Sequence, residues 1–194
     1  MSILFSAPLH KPFSTGMSLR FSSPAGILKN KKQGVLSNME FVPIAPQHDA
    51  AMAAIVRAAL EEHGLDIPGT AYFDGVLDSL SAFYDRPGRA YYVLLDGETV
   101  IGGVGVAEFE ELPGGCELQK LYLAPVFRGL GLGRDMIRFI EDRARELGYR
   151  QIYLETHTAL SAALRAYERA GYRPIPRPSS VIHTTMDRFY LKEL

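Results

Sequence analysis

With Cys116 as its only cysteine in 194 residues, the chain has no intramolecular disulfide and no cysteine-built metal cluster, which fits a reducing compartment. It also lacks any run approaching the roughly 20 apolar residues that span a bilayer, and any N-terminal apolar block followed by a small-residue cleavage site. A soluble, cytoplasmic body with no membrane partner is expected. Acidic residues are missing altogether from residues 1–38, which nevertheless hold five of the 21 basic ones: Lys11, Arg20, Lys29, Lys31 and Lys32. Residues 39–194 are left with 16 basic against 22 acidic side chains, and an acidic body lacks the basic footprint of a nucleic-acid binder. His48, His63, His157 and His183 follow no metal-ligand spacing, so surface or capping roles are expected of them and no metal is predicted.

What is present suits one domain: at 47% hydrophobic residues the chain can bury one sizeable core and is short for two. Residues 1–38, rich in serine with scattered proline and glycine, show no helical or strand period and read as a disordered extension. An upstream start or leader, an organellar transit peptide and a basic partner-touching arm all remain open for it. The domain is expected at 39–194, beginning with a short edge strand near Glu40 to Ala45 that carries Pro43.

Met52, Ile55, Val56, Ala59 and Leu60 then form one helical stripe stopped at Gly64, and Thr70 is placed to cap a second helix through Phe73, Val76, Leu77 and Leu80. Tyr91 to Leu95, a turn at Asp96-Gly97, and Glu98 to Ala107 read as a hairpin. After a polar loop, Cys116 to Leu123 alternates as a strand. From Arg134 a helix runs to Leu147 with Ile137, Ile140, Ala144 and Leu147 on one face, a favourable Glu141–Arg145 pair and a stop at Gly148. A strand at Gln151 to Glu155, a helical stripe of Leu160, Ala163, Leu164 and Tyr167 ended by Gly171, and a last strand around Asp187 to Lys192 complete the pattern. Strand, loop, helix and strand from Cys116 to Glu155 make a βαβ crossover, so those two strands should be parallel in an otherwise antiparallel, mixed α/β sheet.

The segment Arg128-Gly129-Leu130-Gly131-Leu132-Gly133-Arg134 lies between that strand and that helix. Free N–H groups and the positive helix end make such a turn an anion site, glycines let the main chain approach a pyrophosphate, and Arg128 or Arg134 could add a charge-assisted bond. A tight turn with close helix packing would use the same glycines. A dinucleotide fingerprint would need glycine where Met136 stands, and an ATPase-type loop would need Gly-Lys-Ser or Gly-Lys-Thr, which is absent.

Arg128-Gly-Leu-Gly131-Leu-Gly133 resembles the signature of the GNAT superfamily of N-acetyltransferases: Arg or Gln, two residues, Gly, one residue, then Gly or Ala. Leu121-Tyr122-Leu123-Ala-Pro125 before it and Ala166-Tyr-Glu-Arg-Ala-Gly-Tyr172 after it resemble the family's neighbouring blocks, so the likeness covers residues 39–194. It implies a mixed, mostly antiparallel sheet with a splayed parallel strand pair and flanking helices. Acetyl-CoA, as cosubstrate, would lie in the splay with its pyrophosphate on the loop and its pantetheine arm along Leu121 and Leu123. A primary amine, small or peptidic, would attack the thioester directly. The resemblance further implies a thiolate-protonating tyrosine at Tyr167, which also completes an apolar stripe, and a base at Glu117, with Glu155 in reserve. Leu160 departs from the pattern, where many members have a cofactor-holding asparagine. A CoA-binding module without turnover and a longer-chain acyltransferase are the alternatives; homodimerisation is frequent in such proteins. Cys116 has no activating base in the sequence to make it an acyl carrier.

Overall fold

The structure is a computed structural model that describes residues 39–179, 181 and 185–194; the basic head and His183 lie outside the described residues. Strand β1 (Met39–Pro43) ends on Pro43 at the sheet's edge, where a missing N–H is tolerated. It pairs antiparallel with β2 (Ala90–Asp96), β2 with β3 (Thr99–Glu108), and β3 with β4 (Gly115–Leu123). Next to β4 runs β5 (Gln151–Thr156), parallel to it as the crossover requires. Beyond the two-residue β6 (Arg173–Pro174), β7 (Arg188–Glu193) turns back and inserts between β5 and β6. The sheet is thus seven-stranded and antiparallel except for the β4–β5 pair, the architecture expected from the sequence.

Alternation along the strands sends apolar side chains to both faces, and a helical layer covers each. On one face α1 (Pro46–Glu61) buries Met52, Val56, Ala59 and Leu60 against Tyr91, Val93 and Ala107, joined by α2 (Leu80–Tyr84). Ile55, the fifth residue of that stripe, is only half-buried. On the other face α3 (Leu132–Glu146) buries Met136, Ile137 and Ile140 against Ile101, Val104, Val106 and Ile152, with α4 (Ser161–Arg169) alongside. α1, α3 and α4 stop in one way: Gly64, Gly148 and Gly171 take positive φ, and the next N–H folds back to Leu60, Ala144 and Tyr167 respectively. Among the described residues no helix is long and apolar enough to cross a membrane.

Several expectations are corrected by what the side chains meet. The second helix is not continuous: Thr70 does accept from the Tyr72 N–H, but it caps only a 3-10 turn, Ala71–Phe73, and Phe73 is exposed. Asp74 interrupts it by accepting from the Val76 N–H, a local turn that competes with helix, and Gly75 follows; the chain turns again at Leu77–Ser79 before α2. In the hairpin, Asp96 pairs with Thr99, so the turn is Gly97-Glu98 with Gly97 at φ +60°. α3 begins at Leu132, two residues before the expected Arg134, and Leu147 is its exposed C-cap, not a stripe residue. Glu141 does not pair with Arg145. It sits on the buried face of α3, where both its oxygens accept from Lys192 Nζ of β7 at 2.7 and 2.6 Å, while Arg145 bonds Asp142. A buried carboxylate needs a cation brought to it, and a solvated neighbour on its own helix does not serve.

The glycines of β3 make room beneath the sheet. A Cβ on Gly103 would lie 2.6 Å from the Tyr91 ring and one on Gly105 only 2.4 Å from it. Their absence admits that ring, whose hydroxyl donates to the Lys120 carbonyl at 2.8 Å. Lys120 has φ +49°, and the register jumps there: Gly105 faces Gln119 but Gly103 faces Tyr122. Lys120 and Leu121 therefore share the place opposite Val104, a bulge in the strand that reaches the functional site.

Candidate active site

β4 and β5 are hydrogen-bonded only through Gly115 and Gln151, Cys116 and Ile152, and Glu117 and Tyr153. Past Glu117 the two strands part, leaving Leu118 to Leu123 on one lip of a fork and Leu154 to Thr156 on the other. Leu121, Tyr122 and Leu123 lie on the open lip, half-buried. Backbone groups on such a lip have lost their strand partner on one side, so an extended ligand can pair with them as an added strand would.

At the fork's end a 3-10 turn, Pro125–Phe127, leads into the glycine loop. Gly129 and Gly131 have φ +75° and +89°, which side-chain-bearing residues avoid. Gly133 has no such backbone demand, yet a Cβ there would have only Leu123 Cδ1, at 3.9 Å, as a neighbour. The space above that glycine is open on the protein side. Arg134 and Asp135 give their N–H groups to the Gly131 carbonyl at 3.1 and 3.3 Å, while Leu132 and Gly133 occupy the first turn, whose amides have no earlier helical carbonyl. A loop of this shape at a helix N-terminus can hold an anion. Arg128 braces it: Nε donates to the Leu123 carbonyl at 3.0 Å and a terminal nitrogen to Glu62 just past α1 at 2.7 Å. Arg134 is exposed beside Asp135, and Leu130 is exposed at the loop's tip.

A cavity of about 440 Å³ opens against the fork. Gly69, Thr70, Phe73 and Asp74 form one wall, β4 supplies Glu117, Gln119, Lys120 and Tyr122, and Glu155 and Met186 close it. Both carboxylates singled out from the sequence thus face one space. Burial pushes the Glu117 carboxyl from its ordinary 4.5 up to about 7; a hydrogen bond from Gln119 opposes the rise, the Glu155 charge adds to it and Lys120 opposes it. Gln119 Nε2 donates to Glu117 Oε2 at 2.6 Å and the Tyr84 hydroxyl donates to Gln119 Oε1 at 2.7 Å. Lys120 Nζ is held by Asp74 at 2.6 Å, which pins the 69–74 wall to β4. Opposite, the Thr185 hydroxyl donates to the Pro68 carbonyl at 3.0 Å.

Tyr167 does not line this cavity; it belongs to the α3-side core, edge-on to Tyr172 with ring centroids 5.7 Å apart. Burial, aided by the nearby Tyr122 phenol, holds its hydroxyl well above the ordinary tyrosine value, so it stays protonated. Leu160 packs on the α1-side core. Cys116 is fully buried, its thiol directed at the Gln151 carbonyl (3.7 Å), and burial pushes it up to about 12, which leaves no thiolate for nucleophilic work. His48 and His157 each accept a backbone N–H, from Ala45 and Ala159. Among the described residues no group of three or more His, Cys, Asp or Glu converges on a metal position. Gln119, Tyr84, Asp74 and Lys120 were not singled out from the sequence; only Gln119 had a signal, two residues beyond Glu117 and so on the same face of one strand.

Residues 52–172 match the family described as Acetyltransferase (GNAT) family. An N-acetyltransferase of Escherichia coli K12, YjgM, is 37% identical over 131 residues, covering 66% of this chain and 78% of that protein. Among solved structures, an acetyltransferase of the GNAT family from Staphylococcus aureus Mu50 superposes with a TM-score of 0.71 at 18% identity, over 80% of this chain and 98% of the other. The yncA protein of Salmonella typhimurium, solved with its cofactor acetyl-CoA, gives 0.63 at 20% identity, over 80% and 94%. At these identities the two structures speak to the fold.

Proposed function

Because the chain belongs to the GNAT acetyltransferase family, we propose that it transfers the acetyl group of acetyl-CoA to a primary amine, small or peptidic, by direct attack within a ternary complex. The observation that carries this reading is the fork: two parallel strands that stop pairing at Glu117, with an anion cradle at one end and a carboxylate-lined cavity against the opening. Acetyl-CoA brings an acetyl group already activated as a thioester. Gly129, Gly131, Gly133 and the flanking Leu130, Leu132 and Arg134 supply the pyrophosphate seat, Arg128 keeps it in place, and Leu121, Tyr122 and Leu123 offer the lip to the pantetheine arm.

An alkyl ammonium with a pKa near 10.4 is not a nucleophile until it loses a proton. Glu117 takes that role, with Glu155 beside it, since a carboxyl held near 7 is a usable base at neutral pH. As the amine nitrogen bonds to the carbonyl carbon, the C–S bond breaks and a thiolate leaves. Tyr167, kept protonated by burial, is the group assigned to return a proton to that sulfur. Tyr167→Phe keeps the ring and its edge contact with Tyr172; turnover about tenfold or more below the parent, with an unchanged melting temperature, is the expected result. Near-normal turnover would return Tyr167 to a packing role.

The cradle tests the cosubstrate directly. Gly133→Val introduces side-chain atoms into space the protein leaves open, at a helical position where valine costs little. Titration calorimetry of acetyl-CoA into the full chain is expected to show micromolar binding that weakens about 30-fold, roughly 2 kcal/mol, in the variant, with thermal stability retained. Equal affinities would remove the loop from the cosubstrate site.

A further inference from the structure

Glu117 cannot serve as a base by position alone. Its surroundings are mostly hostile to charge: burial and the Glu155 carboxylate of β5 both favour its neutral form. Lys120 offsets this only in part, and the neighbours are themselves engaged. Lys120 on β4 is paired with Asp74 from the facing wall, and the Tyr153 hydroxyl on β5 donates to Glu155 at 3.3 Å. Cys116, adjacent on β4, keeps its proton, and Tyr122 on the same strand is a buried phenol that burial holds above its ordinary value. The Glu117 carboxylate accepts its hydrogen bond from Gln119 Nε2, at 2.6 Å.

A free glutamine could turn its amide over and present its oxygen instead. Here it is gripped from the other side. Tyr84, buried at the end of α2 beneath Gly105, donates its hydroxyl to Gln119 Oε1 at 2.7 Å, and burial raises that phenol far enough to keep its proton at any working pH. With Glu117 ionised, the observed amide orientation makes both bonds, whereas the flipped one keeps at best a bond into the phenol oxygen, strands the phenol proton and sets an amide oxygen against a carboxylate. An unmade bond at a buried position costs about 1–3 kcal/mol, more beside a charge. Resting on the role given to Glu117 above, we propose that Gln119 is the positioning residue of this site and Tyr84 its clamp. The phenol favours the amide orientation whose N–H faces Glu117, which offsets part of the rise that burial imposes on the carboxyl and seats it in the cavity.

Loss of the donor must then raise the pH at which Glu117 gives up its proton. The decisive readout needs no acceptor: carbon-13 NMR of side-chain-labelled glutamate in the full chain, with the Glu117 resonance assigned by its disappearance in Glu117→Gln. Gln119→Met removes the donor and is expected to move the Glu117 midpoint up by about one pH unit. Tyr84→Phe keeps the ring in its tilted contact with Tyr91 but frees the amide, moving the midpoint the same way by less; it also covers the case in which Gln119→Met fails to fold. Midpoints unchanged in the folded variants would overturn the clamp and leave Gln119 a structural contact that affects melting alone. Turnover of Glu117→Gln on a panel of primary amines reads the other half: undiminished activity would remove Glu117 as the base while the NMR midpoint still decides the clamp.

Discussion

Glu117→Gln is expected to lower kcat by about 100- to 1000-fold with the amine that a primary-amine panel returns as best, while acetyl-CoA affinity stays within about twofold. Glutamine keeps the shape and can still accept the bond from Gln119, so what disappears is the ability to take a proton. In the parent, kcat/KM rises with pH through about 7 as Glu117 ionises; in the variant that rise is absent. A stability effect of opposite sense accompanies it. Because the carboxyl sits at about 7 in the folded protein against an ordinary 4.5, the folded state loses stability as pH climbs from 4.5 to 7 and regains none above it. Glu117→Gln relieves that cost and should melt higher than the parent at pH 8, by roughly 2 kcal/mol of stability, and no higher at pH 4. An inactive variant that is also less stable at pH 8 would mark Glu117 as a structural group.

Lys192→Met carries the largest expected loss of stability. Glu141 is 5% exposed at its side chain, and Lys192 reaches it from β7 with two hydrogen bonds. Removing the ammonium leaves an uncompensated carboxylate between α3 and β7, at a cost of about 3 kcal/mol, which in a domain of this size lowers Tm by roughly 8 °C. The double variant Glu141→Gln, Lys192→Met should recover a good part of the loss, since what hurts is the stranded charge. Urea unfolding of the three proteins checks this; equal stability of Lys192→Met and the parent would show the pair to be solvated in solution.

The crossover, the glycine loop and the apolar stripe of α1 were legible because each is local: strand period 2, helix period 3.6 and glycine stops act over a few residues. What escaped turns on a local competitor for a backbone bond or on distant neighbours. Phe73, Val76 and Leu77 have helical spacing, but Asp74 can satisfy a backbone N–H by itself and broke the run. Glu141 and Arg145 are spaced as a helix pair, yet only the fold reveals that one points inward and the other outward. For the site the pattern is the same. Glu117, near the start of β4, was readable through the family likeness and Glu155 as the end of the partner strand, whereas Tyr84, 35 residues from Gln119, joins the site only because Gly103 and Gly105 leave room for tyrosine rings under the sheet.

The placement of β7 governs the order in which the molecule can be completed. β2, β3 and β4 follow one another along the chain and can pair as they emerge during synthesis, with loops of a few residues to close. β5 can dock parallel to β4 but then offers an open flank, because its other neighbour is the strand made last. Until residues 188–193 arrive, Glu141 waits without its cation and the far side of β5 waits without a ladder. Nor are the two sides of the domain equivalent for a fused protein. A partner joined ahead of Met39 hangs from an outer strand, whereas one joined directly after Leu194 pulls on a strand hemmed in on both sides, and needs a flexible spacer if the sheet is to close.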